Sequence, residues 1–327
     1  MAVTEDPWLT RPDDFPGPSR PAGEPPRHWY LRRELHLVAG ILVAILTVYF
    51  AGQRATAGAR ATLDDRLVQS GAGADAGIVG IESEQLSAVR EVAFTQGVGA
   101  AVVARDGSAL NRLVTPLQAN STVPMIDVVD TNGRVLLAVR SKGAPAPVAS
   151  RKGLDALRRA LSGAHGPRGG RLSEIVVFRS GPTLLTISAI VRGSTPVGAV
   201  LAMTPLADVL GRIAQEINVE LTAYDANGDP IATTASFDPK PIGSDTARTL
   251  LGGGAIGTRY NWADHREKLG RLIVDHQPDA VLGVSLEDES GGTGRAVSIY
   301  TALGILCTFA IFASFWARTR MIRTARR

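Results

Sequence analysis

Three charged side chains fall inside or at the ends of β-prone runs, where a folded chain must either bury them or aim them at something. Asp127 interrupts VPMIDVVD, Arg140 closes RVLLAVR, and Arg179 follows EIVVF. A strand alternates its side chains between two faces, so Ile126 and Val128 form one set and Met125, Asp127 and Val129 the other. The all-apolar set is expected to pack on a helix, and the face with Met125 and Asp127 to line a pocket. A guanidinium can grip an anion through two parallel hydrogen bonds, which makes Arg140 and Arg179 candidate clamps for an anionic ligand. Thr186 and Ser188 share one face of a later strand and complete the candidate ligand-binding set. Each residue also has a plainer reading. Asp127 suits a structural hydrogen-bond partner, the arginines suit solvated surface, and Thr186 and Ser188 suit an ordinary strand face.

Other chemistry finds little support. In YNWADHREK, Tyr260 and Trp262 could stack on a ligand, but Asp264 and His265 are adjacent and diverge on any regular element, a poor metal pair. The five histidines are scattered without HExxH spacing, and the single Cys307 excludes disulfides and Cys-rich metal sites. There is no GxSxG elbow and no phosphate-cradling glycine loop. No catalytic residue, metal or cofactor is therefore expected, and the chain does not read as an enzyme. Net charge is +4 with a pI near 9.5, yet the basic residues form no stripe interleaved with aromatics, so nucleic acid is not an expected partner.

The elements that must hold these residues are written twice. VPMIDVVDTNGRVLLAVRS lies over VELTAYDANGDPIATTAS with Asp130 on Asp225 and Gly133 on Gly228. In each, the Asp can bond its backbone two residues on and the Gly can take a left-handed conformation, which predicts a tight hairpin. Further strands follow both hairpins, and AVLAM at 199–203 overlays AVLGV at 280–284. Before the repeat, residues 53–98 show helical apolar spacing that Gly71, Gly73, Gly77 and Gly80 are expected to break. A shorter helix is predicted at 107–118, capped by Asp106 or Ser108, and another at 206–217 between the repeats. The fold class is α+β: a long N-terminal helix and two tandem modules with antiparallel sheets of about five strands.

Two apolar stretches flank this region. Residues 35–52 carry one polar interruption, His36, and residues 296–317 carry no charge. About 20 apolar residues cross the hydrocarbon core, so both qualify as spans. Arg27, Arg32 and Arg33 precede the first, and Arg318, Arg320, Arg323, Arg326 and Arg327 follow the second. The side between them shows only Arg54, Arg60 and Arg295 near the membrane. The positive-inside rule then puts both termini in the cytoplasm and residues 53–295 outside a plasma or inner membrane. Residues 1–34 form a Pro-rich tail expected to be disordered, and 318–327 a basic tail.

The duplicated D-x-N-G hairpins, the LADVLGRIAQEI helix between them and the two-span layout together resemble the double-Cache, PAS-like extracytoplasmic sensor domains of bacterial transmembrane receptors. The resemblance covers about residues 53–290. It implies a stalk helix at about 53–98, a membrane-distal module at 99–205 that takes a small-molecule ligand, and a membrane-proximal module at 206–290. A homodimer is expected on physical grounds, because a single membrane helix has few ways to report an outside event whereas two paired helices can slide or rotate against each other. The family's amino-acid binders carry an R-x-W-Y element after this hairpin, whereas SRKGLDALRRALSGAHG has no Trp or Tyr, which argues against an amino-acid ligand. The family's HAMP linker and output domain do not follow the second span in this sequence, so either a cytoplasmic partner such as a kinase or cyclase supplies the output or the chain as given is truncated before its own. The rival expectation is a cell-envelope assembly protein that binds another protein with its outer domain.

Overall fold

The computed structural model describes residues 28–146, 148–162, 172–255, 257–262, 265–288, 298–311, 313, 314 and 316. Contacts divide the chain into two compact units, residues 1–55 with 292–327 and residues 56–291. Both tails expected from the sequence lie almost wholly outside the described residues.

In the first unit, helix α1 begins at His28, and the described residues contain one helix long and apolar enough to cross a membrane, Ala39–Phe94. A shorter apolar helix, α7, covers Ser298–Ile311. The two meet closely: a Cβ on Gly304 would stand 3.2 Å from Ile45 Cγ1. The small residue thus packs a helix of its own chain.

The second unit holds the duplicated region. α1 runs unbroken to Phe94, 67 residues in all, without the expected interruption at its glycines. Packing explains the difference. A Cβ on Gly77 would meet Ile213 Cγ1 at 2.9 Å, and one on Gly73 would meet Ile217 Cγ2 at 3.2 Å. The glycines cost helix propensity but let helix α5 (Leu206–Ile217) approach the α1 backbone. Gly97, at φ 93°, then turns the chain into α2 (Val98–Ala104). Helix α3 (Gly107–Ala119) follows, with Asp106 as its N-cap accepting from the Ala109 N–H at 2.9 Å.

Two five-stranded antiparallel sheets follow the same plan. The first comprises β1 (Met125–Asp130), β2 (Val135–Arg140), β3 (Ser173–Phe178), β4 (Gly181–Arg192) and β5 (Thr195–Pro205), in the order β2-β1-β5-β4-β3. The second comprises β6 (Glu220–Tyr224), β7 (Pro230–Thr233), β8 (Arg259–Trp262), β9 (His265–Val274) and β10 (Gln277–Glu287), in the order β7-β6-β10-β9-β8. Helix α4 (Asp155–Leu161) follows the first hairpin and α6 (Ser244–Leu251) the second. The long helix and the repeated order are the arrangement that the double-Cache resemblance predicts.

The repeat is real, but its second half is in a different register from the AVLAM/AVLGV overlay. Val129 opposes Ala199, and its counterpart Tyr224 opposes Val281, not Ala280. The matching letters are one residue out of step, beside a bulge between Pro278 and Ala280. One residue flips every side chain to the other face. In the correct register Val200 matches Leu282, and both are buried on the helix side.

Each sheet is covered on both faces. Ile126, Val128, Ile190 and Val200 pack with the end of α1, α2 and α3, while Met125, Val129, Leu185, Leu201 and Met203 pack with α4. In the second sheet, Leu282 and Val284 pack with α1 and α5, and Tyr224, Leu269 and Val281 pack with α6. The sheets are tied at an edge. Asp275, in the β9–β10 turn, accepts from the Leu172 N–H and from Ser173 N–H at 3.4 Å, and Asp279 accepts from Ile175 N–H at 2.9 Å. Outward N–H groups of the outer strand β3 are thus held by carboxylates from the other sheet.

Candidate functional site

The first hairpin does more than reverse the chain. Asp130 Oδ1 accepts from Asn132 N–H and Arg134 N–H at 2.9 and 3.0 Å, and Gly133 takes φ 76°. A Cβ on Gly133 would stand 2.9 Å from Lys152 N, so only glycine lets the segment 150–152 lie across the turn. There the Arg151 N–H donates to Gly133 O at 2.7 Å. The turn thereby places Arg151 over the sheet.

Arg151 is one of two guanidiniums that converge on Asp127. Its Nε donates to Asp127 Oδ2 at 2.9 Å and its Nη2 lies 2.8 Å from the same oxygen. Arg140 Nη2 pairs with Asp127 Oδ1, and its Nη1 donates to Val139 O at 2.9 Å and Ile126 O at 3.3 Å. Asp127 is wholly buried, and the side chains of Arg140 and Arg151 are 12% and 9% exposed. Arg151 also stacks on Phe178, its Cζ 4.9 Å from the ring centre. Arg140 Nε is buried and has no hydrogen-bond partner among the described residues.

Above this triad lies a cavity of about 460 Å³ between the α4-side face of the first sheet, the segment after β2 and the β3–β4 turn. Met125, Met203, Leu154 and Phe178 give it an apolar floor and wall, and Arg140, Arg151, Lys152 and Arg179 give it four cations. Its volume falls within the range of small-molecule sites, and its lining has their usual make-up of apolar surface with a few converging polar groups.

The expected site residues divide three ways. Met125, Arg140 and Arg179 line the cavity. Asp127 lies beneath it with both oxygens turned to guanidiniums, so it orients the lining and presents no oxygen to a ligand. Thr186 and Ser188 do not reach the cavity, a correction to the expected set. They lie on the opposite face of β4 from Leu185 and Ile187, and Thr186 donates to Gln85 of α1 at 2.8 Å. Sequence reasoning missed Arg151, Lys152, Phe178 and Met203. A signal for Arg151 was available: a left-handed glycine in the turn leaves room for a crossing chain.

The second sheet repeats the backbone but not the site. The Ile242 N–H donates to Gly228 O at 2.8 Å, as Arg151 does to Gly133. The hairpin overlay and the strand register match Asp127 to Thr222, Arg140 to Ala235 and Arg151 to Ile242. The corresponding face is filled instead. Tyr224 Oη donates to Glu267 Oε1 at 2.7 Å, and Arg259 Nε donates to Glu267 Oε2 at 2.7 Å. Burial pushes the Glu267 carboxyl above its usual range, against the pull of Tyr224 and Arg259. A Cβ on Gly283 would sit 2.0 Å from Glu267 Oε1, so this glycine makes the room for the buried carboxylate. In the YNWADHREK segment, Asp264 lies outside the described residues, and His265 stands 3.6 Å from Glu220.

No family model matches the chain, and no curated protein matches it. Solved structures do. The periplasmic domain of Vibrio cholerae LuxQ is 14% identical with a TM-score of 0.44, covering 68% of this chain and 99% of that one. The ligand-binding domain of Campylobacter jejuni chemoreceptor Tlp3, in complex with L-valine, is 12% identical at a TM-score of 0.48, covering 72% and 96%. That of the Pseudomonas aeruginosa amino acid chemoreceptor PctB, in complex with L-Arg, is 15% identical at 0.46, covering 70% and 97%. At such identities and TM-scores, nothing about ligand or activity passes from these proteins to this chain.

Proposed function

We propose that this chain is a membrane-anchored sensor whose first module binds a small molecule and whose second module has the corresponding face filled. The observation that carries the reading is the difference between two faces of one duplicated fold. One keeps a cavity of about 460 Å³ with buried, pre-oriented guanidiniums; the other closes over Tyr224, Glu267 and Arg259. Close packing is the norm in protein interiors, and a retained polar cavity beside a filled homologous one points to binding. It also favours sensing over an envelope-assembly role, which calls for a filled module and a broad exposed apolar patch.

In this reading residues 35–52 and 296–317 are both membrane spans, residues 53–295 lie outside, and both termini face the cytoplasm. The stalk helix occupies about 53–98, the membrane-distal module 99–205 and the membrane-proximal module 206–290. Ligand binding is relayed through the second span to a cytoplasmic signalling partner such as a kinase or cyclase, and the receptor acts as a homodimer. The apolar window in α1, the apolar α7 and the arginine distribution at their ends support the topology.

The test is a thermal-shift screen of the full chain in detergent against a metabolite panel. A ligand present at 100 times its Kd adds about 2.7 kcal/mol of stability. A hit abolished by Met203→Trp, which fills the cavity, is the expected result. A panel without a hit, or a hit that survives Met203→Trp, counts against the cavity as the sensing site.

A further inference from the structure

We infer that the ligand is an organic anion with at least two negative charges, an apolar body between them and no ammonium group. The inference rests on the reading of the cavity as the ligand site and deepens it.

The charge count comes first. Four cations line the cavity, and the acid paired with any of them is Asp127, shared by Arg140 and Arg151. Among the described residues Lys152 and Arg179 make no ion pair, so three positive charges are uncompensated. A ligand with one negative charge leaves most of that field unanswered, whereas a dianion or trianion meets it.

The cations are also layered. Arg140 and Arg151 are nearly buried and held by Asp127, an inner station beside Met125 and Met203. Lys152 and Arg179 also line the cavity but are exposed, and they form an outer station. Phe178 and Leu154 lie along the wall that an apolar body would cover. Arg140 Nε is buried without a hydrogen-bond partner among the described residues, and such a group is costly to leave unmet.

The missing partner for an ammonium completes the argument. Asp127 is wholly buried and committed to two guanidiniums. Apart from backbone, the remaining oxygen acceptors are the hydroxyls of Ser150, Ser180 and Thr183. An ammonium would therefore enter a field of like charge without a carboxylate to offset it. The site selects against amino acids and amines by charge alone.

The experiment uses the full chain in detergent and pairs of probes that differ by one group. Adipate is compared with hexanoate, phthalate with benzoate, and adipate with 2-aminoadipate, by titration calorimetry. The expected result is that at least one dianion binds tenfold or more tightly than its monoanion, and that adding the ammonium weakens adipate at least tenfold. Lys152→Gln and Arg179→Gln, both at exposed positions, should weaken binding of the dianion at least fivefold more than binding of its monoanion. Dianions no better than monoanions, dianions that do not bind, or 2-aminoadipate equal to adipate would overturn the inference. The underlying reading is tested separately with Met203→Trp in the floor and Ala146→Trp at the exposed mouth. If another metabolite binds and either tryptophan abolishes it, the cavity stands and the anion class falls. If its binding survives both, the cavity reading falls as well.

Discussion

Replacing Asp127 by Asn should be among the most damaging conservative changes available to this chain. The substitution keeps the shape and removes the charge that two guanidiniums share. Both arginines are nearly buried, at 12% and 9% exposure, so solvent is poorly placed to take over the role of the carboxylate. Breaking a buried ion pair by removing one partner typically costs about 3–5 kcal/mol. The hydrogen-bond route reaches the same range, since each bond to a charged group is worth about 1.5–3 kcal/mol and Asp127 serves two arginines. For a domain of this size each kcal/mol moves Tm by about 2–4 °C, which predicts a fall of about 6–20 °C. Thermal unfolding of the full chain in detergent, followed by circular dichroism, reads it directly. The combined change Asp127→Leu, Arg140→Met, Arg151→Met should recover much of the loss, because no charge is left buried alone. A fall under 2 °C for Asp127→Asn would refute the reasoning, since the triad would then not be the buried, interdependent unit described.

Further tests follow from the packing and the turns. Gly77→Leu should destabilise by about 1–3 kcal/mol by pushing α5 off α1, whereas Gly80→Ala, with nothing within 4 Å, should stabilise by about 0.5–1 kcal/mol; chemical denaturation separates the two. Gly133→Ala and Gly228→Ala should each cost about 1–3 kcal/mol in the same assay, because their Cβ atoms would meet backbone nitrogen at 2.9 and 2.7 Å. Glu267 should make stability pH-dependent in an unusual direction. Its folded carboxyl is raised above the ordinary 4.5 by burial, so its contribution is full below that value and is lost as pH rises through the raised one. Glu267→Gln should flatten that component of the Tm-against-pH profile above pH 4.5, and an unchanged profile would remove Glu267 as its source.

The sequence was most legible where one local rule had no competitor. Asp106 caps α3 as its position predicts, and the two Asp-x-Asn-Gly turns form as written because the glycine and the aspartate act within four residues. Asp127 was visible for a related reason: a charge at a core-facing position of an apolar strand must find a partner. Legibility failed where distant contacts decide. The α1 glycines read as helix breakers until Ile213 and Ile217 of α5 pack against them. β4 is buried on both faces along most of its length, so nothing in its pattern says which side Thr186 and Ser188 take. Arg151 lies in an irregular segment, and its place over Asp127 depends on a backbone crossing at Gly133. The AVL match misled because matching letters do not fix which residues face each other across β6 and β10.

The acid side chains on the edge of β3 bear on which parts of this protein open. An outer strand normally exposes every second amide to water, and such amides lose their hydrogens early to exchange. Those of Ser173 and Ile175 are instead occupied by Asp275 and Asp279. They can exchange only when the edge parts from the β9–β10 turn and the start of β10, so their deuterium uptake reports the separation of the two sheets, not fraying of one. The Val177 side chain, 70% exposed further along the same strand, marks where that protection ends. Slow exchange at the start of β3 and fast exchange at its end would make this one strand a gauge of how tightly the two modules are coupled, with and without a ligand in the cavity.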